Sequence, residues 1–223
     1  MIGNSVLKSA GLMAASQILA KTLDFVALLI LARLLLPEHF GLVALATSVL
    51  MIASAVTELP ASDALVQRGE VTEADVASAF TLTVLRGVVV SLALLLLATP
   101  MAILLKDARL EAILRVLAIA PLIQGFASPA MVLSLRKVNY APLAVSQLLG
   151  KIFAFVAIVV TAKLTGSYWA LVVGQVANAV ISVLVTHIAA PYRFRMSLKG
   201  VVEILSFTTW VTLARAMFML NQQ

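Results

Sequence analysis

The chain has 223 residues, 62% of them hydrophobic, 12% charged and none of them cysteine, with a formal net charge of +6 and a mean hydropathy of +1.09. A soluble domain averages roughly 45–50% apolar and about 25% charged residues, so a water-exposed surface could not be covered and water-soluble enzymes are excluded. The missing cysteines remove disulfide frameworks, thiolate metal sites and cysteine nucleophiles. The two histidines, His39 and His187, are too few for a histidine-built metal centre. In this composition the excess of base records cytoplasmic loops of a polytopic membrane protein rather than contact with nucleic acid.

A helical span needs about 20 mainly apolar residues to cross ~30 Å of hydrocarbon. Six segments meet that length, at 9–33, 40–57, 77–99, 111–135, 141–162 and 167–188. A seventh begins near Glu203 and runs through Trp210 and Met217 to Gln223. The first segment does not read as a signal peptide, because Gln17, Lys21 and Asp24 interrupt its apolar run. Pro37 and Gly41 punctuate a very short link into the second segment. The longest connection, 58–76, holds Pro60 and Gly69 and leaves no room for a soluble domain.

Thr72, Glu73, Ala74 and Asp75 form a capping-box pattern that starts the third span. Pro121 and Pro129 each remove a backbone donor from the fourth, where a bend is expected. Trp169 opens the sixth span as an interfacial aromatic anchor, and Arg115 anchors a span end. Loop lysines and arginines number seven on the N-terminal side (from Lys8 to Lys199) and four on the other (Arg33, Lys106, Arg109, Lys163). That bias predicts a cytoplasmic N-terminus, with 58–76, 136–140 and 189–202 on the same side.

Polar residues recur at helical spacing: Gln17, Lys21 and Asp24; Gln124 and Ser128; Gln147 and Lys151; Gln175, Asn178 and Ser182. Small and polar residues so placed most often mediate contacts between spans. The charges demand more. Lys21, Arg86 and Lys151 fall near mid-span, where a charge costs roughly 2.5–3.5 kcal/mol on insertion scales. Asp24, one turn from Lys21, is expected to pair with it or to take part in ion coupling. No acid within the spans is then left for Arg86 or Lys151. An unpaired cationic patch in a helix bundle predicts an anion site, with Lys21, Arg86 and Lys151 as its substrate-binding residues.

Catalytic patterns are absent. Gly150 and Lys151 do not complete a phosphate-binding loop, because position 145 is Val145, and neither H-E-x-x-H nor G-x-S-x-G occurs. A carrier, not an enzyme, is the expectation, with no cofactor and no metal.

The run from Leu31 to Ala46 (LARLLLPEHFGLVALA) resembles the opening signature of bacterial polysaccharide exporters. These are the oligosaccharide flippases of the multidrug/oligosaccharidyl-lipid/polysaccharide superfamily. The resemblance continues from Ala64 to Arg68, from Thr72 to Asp75 and at Ala79 and Phe80. It returns from Ser167 to Val172, from Pro191 to Arg193 and from Leu205 to Phe207. The matches keep family order along essentially the whole chain.

The resemblance implies an all-α transmembrane bundle: a first six-helix lobe over 1–190, a cytoplasmic linker over 191–202 and a truncated seventh helix over 203–223. The chain is then expected to be a fragment of a two-lobe flippase of the bacterial inner membrane. Its implied substrate is an oligosaccharide on undecaprenyl pyrophosphate, moved between leaflets for O-antigen, lipopolysaccharide or exopolysaccharide biosynthesis. Implied partners are membrane lipids and the polymerase and chain-length machinery. A cation-coupled drug exporter of the same superfamily, or a non-transporting component of a polysaccharide assembly complex, is the alternative.

Overall fold

The computed structural model describes residues 2–57, 65, 71–137, 139–192 and 194–197, and every element among them is helical. In chain order these are α1 (Ile2–Leu34), α2 (Pro37–Val56), α3 (Glu73–Leu104), α4 (Arg109–Leu117), α5 (Ile119–Gly125), α6 (Met131–Arg136), α7 (Ala141–Thr165) and α8 (Trp169–Ala189). Five of them, α1 (from Gly11), α2, α3, α7 and α8, are long and apolar enough to cross a membrane. The expected seventh span, with Arg215, lies outside the described residues, as does most of the 58–76 connection.

Burial is arranged as in a bundle surrounded by lipid. The interior is rich in small residues, among them Ala46, Ala98, Ala162, Ala170 and Ser78, while Leu96, Leu164 and Ile188 point outward. Lipid tails are as apolar as leucine, so close contact between small residues, rather than escape from water, joins such helices. Gly150 and Gly174 show how. A Cβ on Gly150 would lie 2.2 Å from Ser182 Oγ, and one on Gly174 would lie 2.2 Å from Ile158. The two glycines let α7 and α8 approach, and α1 packs on the other flank of α7.

Pro37 starts α2 at its first turn, where its missing N–H is no loss, after an extended Leu36. The second helix therefore begins at Pro37 rather than at 40. The capping box at the head of α3 is present: Asp75 N–H donates to Thr72 Oγ1 (3.2 Å) and Thr72 N–H to Asp75 Oδ2 (2.9 Å). The helix so started is longer than 77–99, and it passes through Pro100 to Leu104.

The fourth predicted span is not one helix. Leu117 is where α4 ends, because Pro121 has no N–H to give its carbonyl and the proline ring crowds it. The stop after α5 precedes Pro129, which disfavours helical backbone at Ser128. Non-helical backbone at this depth is tolerated only when protein supplies the missing partners. Here α8 does so. Ser128 N–H donates to Thr186 Oγ1 (3.1 Å), Ser128 Oγ donates to Ala190 O (2.6 Å), and His187 Nε2 donates to Phe126 O (2.8 Å).

The turns gather at two ends. At one, Arg109 bridges to Glu38 and Asp107, and His39 meets Tyr168 edge to face at 5.8 Å. The Arg109 guanidinium holds the Asp107 carboxyl below the usual carboxylate range. At the other, Arg136 donates to Leu65 O (2.7 Å) and Arg195 pairs with Glu73 (3.0 Å). Phe80, fully buried, collects Tyr192 and Phe194 there and binds the chain after α8 onto α3.

Candidate functional site

The stripe on α1 forms one wall of a recess. Gln17, Lys21 and Asp24 line it together, and Lys151 reaches in from α7. The recess is open and encloses about 700 Å³. The i, i+4, i+7 spacing puts three polar side chains on one face of α1, and the packing of α1 on α7 brings Lys151 opposite.

Asp24 does not take its partner from its own helix. Lys151 Nζ donates to Asp24 Oδ1 (2.8 Å) and to Oδ2 (3.0 Å), 127 residues away in the chain. The expected Lys21–Asp24 pair is therefore corrected to an interhelical Asp24–Lys151 pair. Lys21 makes no ion pair among the described residues. The reason is geometric. An i, i+3 pair lies along the surface of α1, whereas Lys151 spans the α1–α7 gap and offers Nζ to both carboxylate oxygens at once. Two cations and one anion leave a net charge of +1 on the recess.

A second recess begins at the same ion pair and enters the bundle. It measures about 220 Å³ and is walled by α1, α2, α7 and α8. Asp24 and Lys151 stand at its mouth, and Gln175 and Asn178 of α8 line it together with Phe155 and Ile158. The sequence singles out Gln175 and Asn178 only as a packing stripe. Their position one turn apart at mid-span was the available signal, but nothing in the sequence places them beside Lys151.

Arg86 is not gathered with the two lysines. It lines separate recesses on α3, with Ser54 and Gln124 beside it. Its Nη2 donates to Ser54 O at 3.0 Å, and its Nε is buried with no partner. Gln175 lines one of these recesses as well as the inner one, and its Nε2 donates to Thr47 Oγ1 at 2.9 Å. A broken polar track thus runs from Lys21 through Lys151 and Gln175 toward Arg86. The three expected site residues are divided between two places on it.

Chemically, ammonium groups, amides and hydroxyls dominate this track. Such groups hold phosphate and hydroxyl oxygens. Among the described residues no group of three or more histidines and acids stands together to hold a metal.

The chain is 28% identical over 198 residues to the succinoglycan biosynthesis transport protein ExoT of Rhizobium meliloti (strain 1021), a match covering 86% of this chain and 40% of that protein. It therefore spans about two fifths of the length of that relative. No solved structure matches the chain. A family model described as polysaccharide biosynthesis protein matches residues 30–223, from the end of α1 through the last residue. With most of its length under that model and its apolar helices in order, this chain is a multi-pass membrane protein that belongs to the polysaccharide biosynthesis protein family.

Proposed function

We propose that the chain forms the first lobe of a flippase that carries a lipid-linked oligosaccharide from the inner to the outer leaflet of the bacterial inner membrane. The observation that carries this reading is the open recess on α1 and α7, with two lysines and a single acid at mid-span. A diphosphate-linked sugar cannot enter hydrocarbon unaided, because its charge and hydroxyls lose their hydration. A recess with net positive charge replaces that hydration while the polyprenyl tail stays in lipid. The transport role in the name of the R. meliloti relative supports a carrier. Lys21 and Lys151 hold the diphosphate, and Asp24 keeps Lys151 in place. Arg86 serves further along the track. A second lobe completes the cavity, and rocking between lobes changes the side to which it opens.

The cation-coupled exporter fits less well, since the one acid of the recess is already engaged by Lys151. The test is flipping of a fluorescent undecaprenyl-diphosphate saccharide in proteoliposomes that contain the full-length gene product. Lys21→Gln with Lys151→Gln should lower the rate at least tenfold, on the order of two lost charge-assisted contacts. Arg86→Gln should cost less. Wild-type flipping by the double variant at equal incorporation would overturn the assignment.

A further inference from the structure

Arg86 lies closer to one face of the membrane than its mid-span place in the sequence predicts. Eighteen residues separate it from Leu104, where α3 ends shortly before the Arg109–Glu38 bridge, and at 1.5 Å per residue that is about 27 Å. Ser54, its partner on α2, stands seventeen residues from Pro37 at the same end, about 26 Å. Both distances approach the ~30 Å of the hydrocarbon core. The guanidinium therefore belongs near the headgroup level of the opposite leaflet, the one predicted to be cytoplasmic. The rest of α3, back to Glu73, continues past it beneath Tyr192 and Phe194.

Among the described residues the protein leaves this charge unanswered. Arg86 spends one N–H on Ser54 O, its Nε is buried without a partner, and no acid lines either recess beside it. Gly87 and Gly125 let α3 and α5 touch, which brings Gln124 next to the guanidinium. Neither the Ser54 hydroxyl nor the Gln124 amide makes a hydrogen bond among the described residues. From there the wider recess runs along α2 past Met51 and Leu50 to the Thr47–Gln175 bond. It encloses about 510 Å³, within the roughly 300–1,000 Å³ of small-molecule sites. Its surroundings are apolar, since Met51 and Val56 on α2 and Leu85 and Val89 on α3 are all exposed. Donors at headgroup depth beside an apolar lane match an amphiphile with an anionic head. A free anion would have to shed its water to arrive.

We infer that the recess between α2, α3 and α5 seats one anionic phospholipid of the surrounding leaflet. Its phosphate lies on Arg86, Ser54 and Gln124, and an acyl chain follows Leu50 and Met51. The site goes beyond the flippase reading and does not depend on it. Arg86 serves the far end of the track by keeping a resident headgroup, not by carrying cargo.

The full-length gene product in detergent is titrated with phosphatidylglycerol, with zwitterionic phosphatidylethanolamine and with inorganic phosphate, and bound lipid is counted by native mass spectrometry. One phosphatidylglycerol should bind more tightly than phosphatidylethanolamine, and excess inorganic phosphate should not displace it. Arg86→Gln should weaken phosphatidylglycerol about tenfold, the scale of a lost charge-assisted contact. Lys21→Gln with Lys151→Gln should leave that affinity unchanged. Where Arg86→Gln does not fold, Ala55→Glu, at an exposed position beside Ser54, offers the guanidinium a carboxylate and should have the same effect. The inference is overturned if phosphatidylethanolamine binds as well, if phosphate displaces the lipid, if Arg86→Gln changes nothing, or if the lysine variant weakens binding as much. A second lobe that covers Arg86 would show as no saturable phosphatidylglycerol binding, which overturns it too. Flipping is read in a separate assay on the lysines, so either reading can fail alone.

Discussion

Gly87 and Gly41 both lie inside helices and have opposite surroundings. A Cβ on Gly87 would lie 2.6 Å from the backbone carbonyl oxygen of Pro121, whereas nothing lies within 4 Å of one on Gly41. Gly87→Ala must push α3 from α5, so a loss of about 1–3 kcal/mol is expected. Gly41→Ala should be neutral or stabilise by up to about 1 kcal/mol through helix propensity. Thermal unfolding in detergent distinguishes the two, and equal midpoints would refute the packing argument. The Asp24–Lys151 pair is tested at the same scale. Its side chains are 46% and 37% exposed, which keeps the expected coupling to about 0.5–1 kcal/mol. A double-mutant cycle with Asp24→Asn and Lys151→Gln measures it, and zero coupling would mean that the contact contributes nothing to stability.

Among the elements, the segment from α4 to α6 departs most from expectation. Pro121 and Pro129 announce a bend, but a bend and a three-way break have the same local signal. What allows the break is Thr186 and His187 on α8 and Ala190 just after it, whose atoms meet the freed backbone and side-chain groups. The turn before α4 shows the reverse case, a device that is local in sequence. Asp107 accepts from the Arg109 backbone at 2.9 Å and from its guanidinium at 2.7 and 3.0 Å. With its folded pKa below the unfolded value of about 3.9, Asp107 contributes stability that is complete above about pH 5. The contribution is lost as pH falls through the lower folded pKa. Protection against hydrogen exchange at 105–109, after correction for the intrinsic pH dependence of exchange, should therefore fall below about pH 4 in wild type and show no such step in Asp107→Asn.

For the whole molecule, contacts group the helix ends without reference to any membrane. Leu65, Glu73, Arg136 and Arg195 meet at one end, and Glu38, Arg109 and Tyr168 at the other. Alternation of the predicted spans requires the same grouping, and the basic bias predicts that the Arg136 end is the cytoplasmic one. Because these 223 residues hold no cysteine, they add no background to single-cysteine labelling. Lys137→Cys should react only after the inner face is opened to a membrane-impermeant maleimide, and Lys163→Cys in intact spheroplasts. The reverse pattern would invert the proposed orientation. The lobe boundary at 190 would need revision if the strap after α8, held to α3 by Phe80 and Glu73, moves together with α3.

Composition and hydropathy by themselves determined a polytopic helical membrane protein, because the cost of placing backbone and charge in hydrocarbon leaves few alternatives. The capping box at Thr72, the entry at Pro37 and the shared face of Gln17, Lys21 and Asp24 were equally legible, since each depends on residues within two turns of one another. Tertiary structure alone decided which lysine Asp24 engages, because Lys21 and Lys151 are both basic and at mid-span and differ only in which gap they cross. It also parted Arg86 from the lysines and placed Asn178 beside Lys151. Helix periodicity specifies a face, but the rotation of each helix in the bundle is set by small residues such as Gly87, Gly150 and Gly174, whose effect appears only where two helices meet.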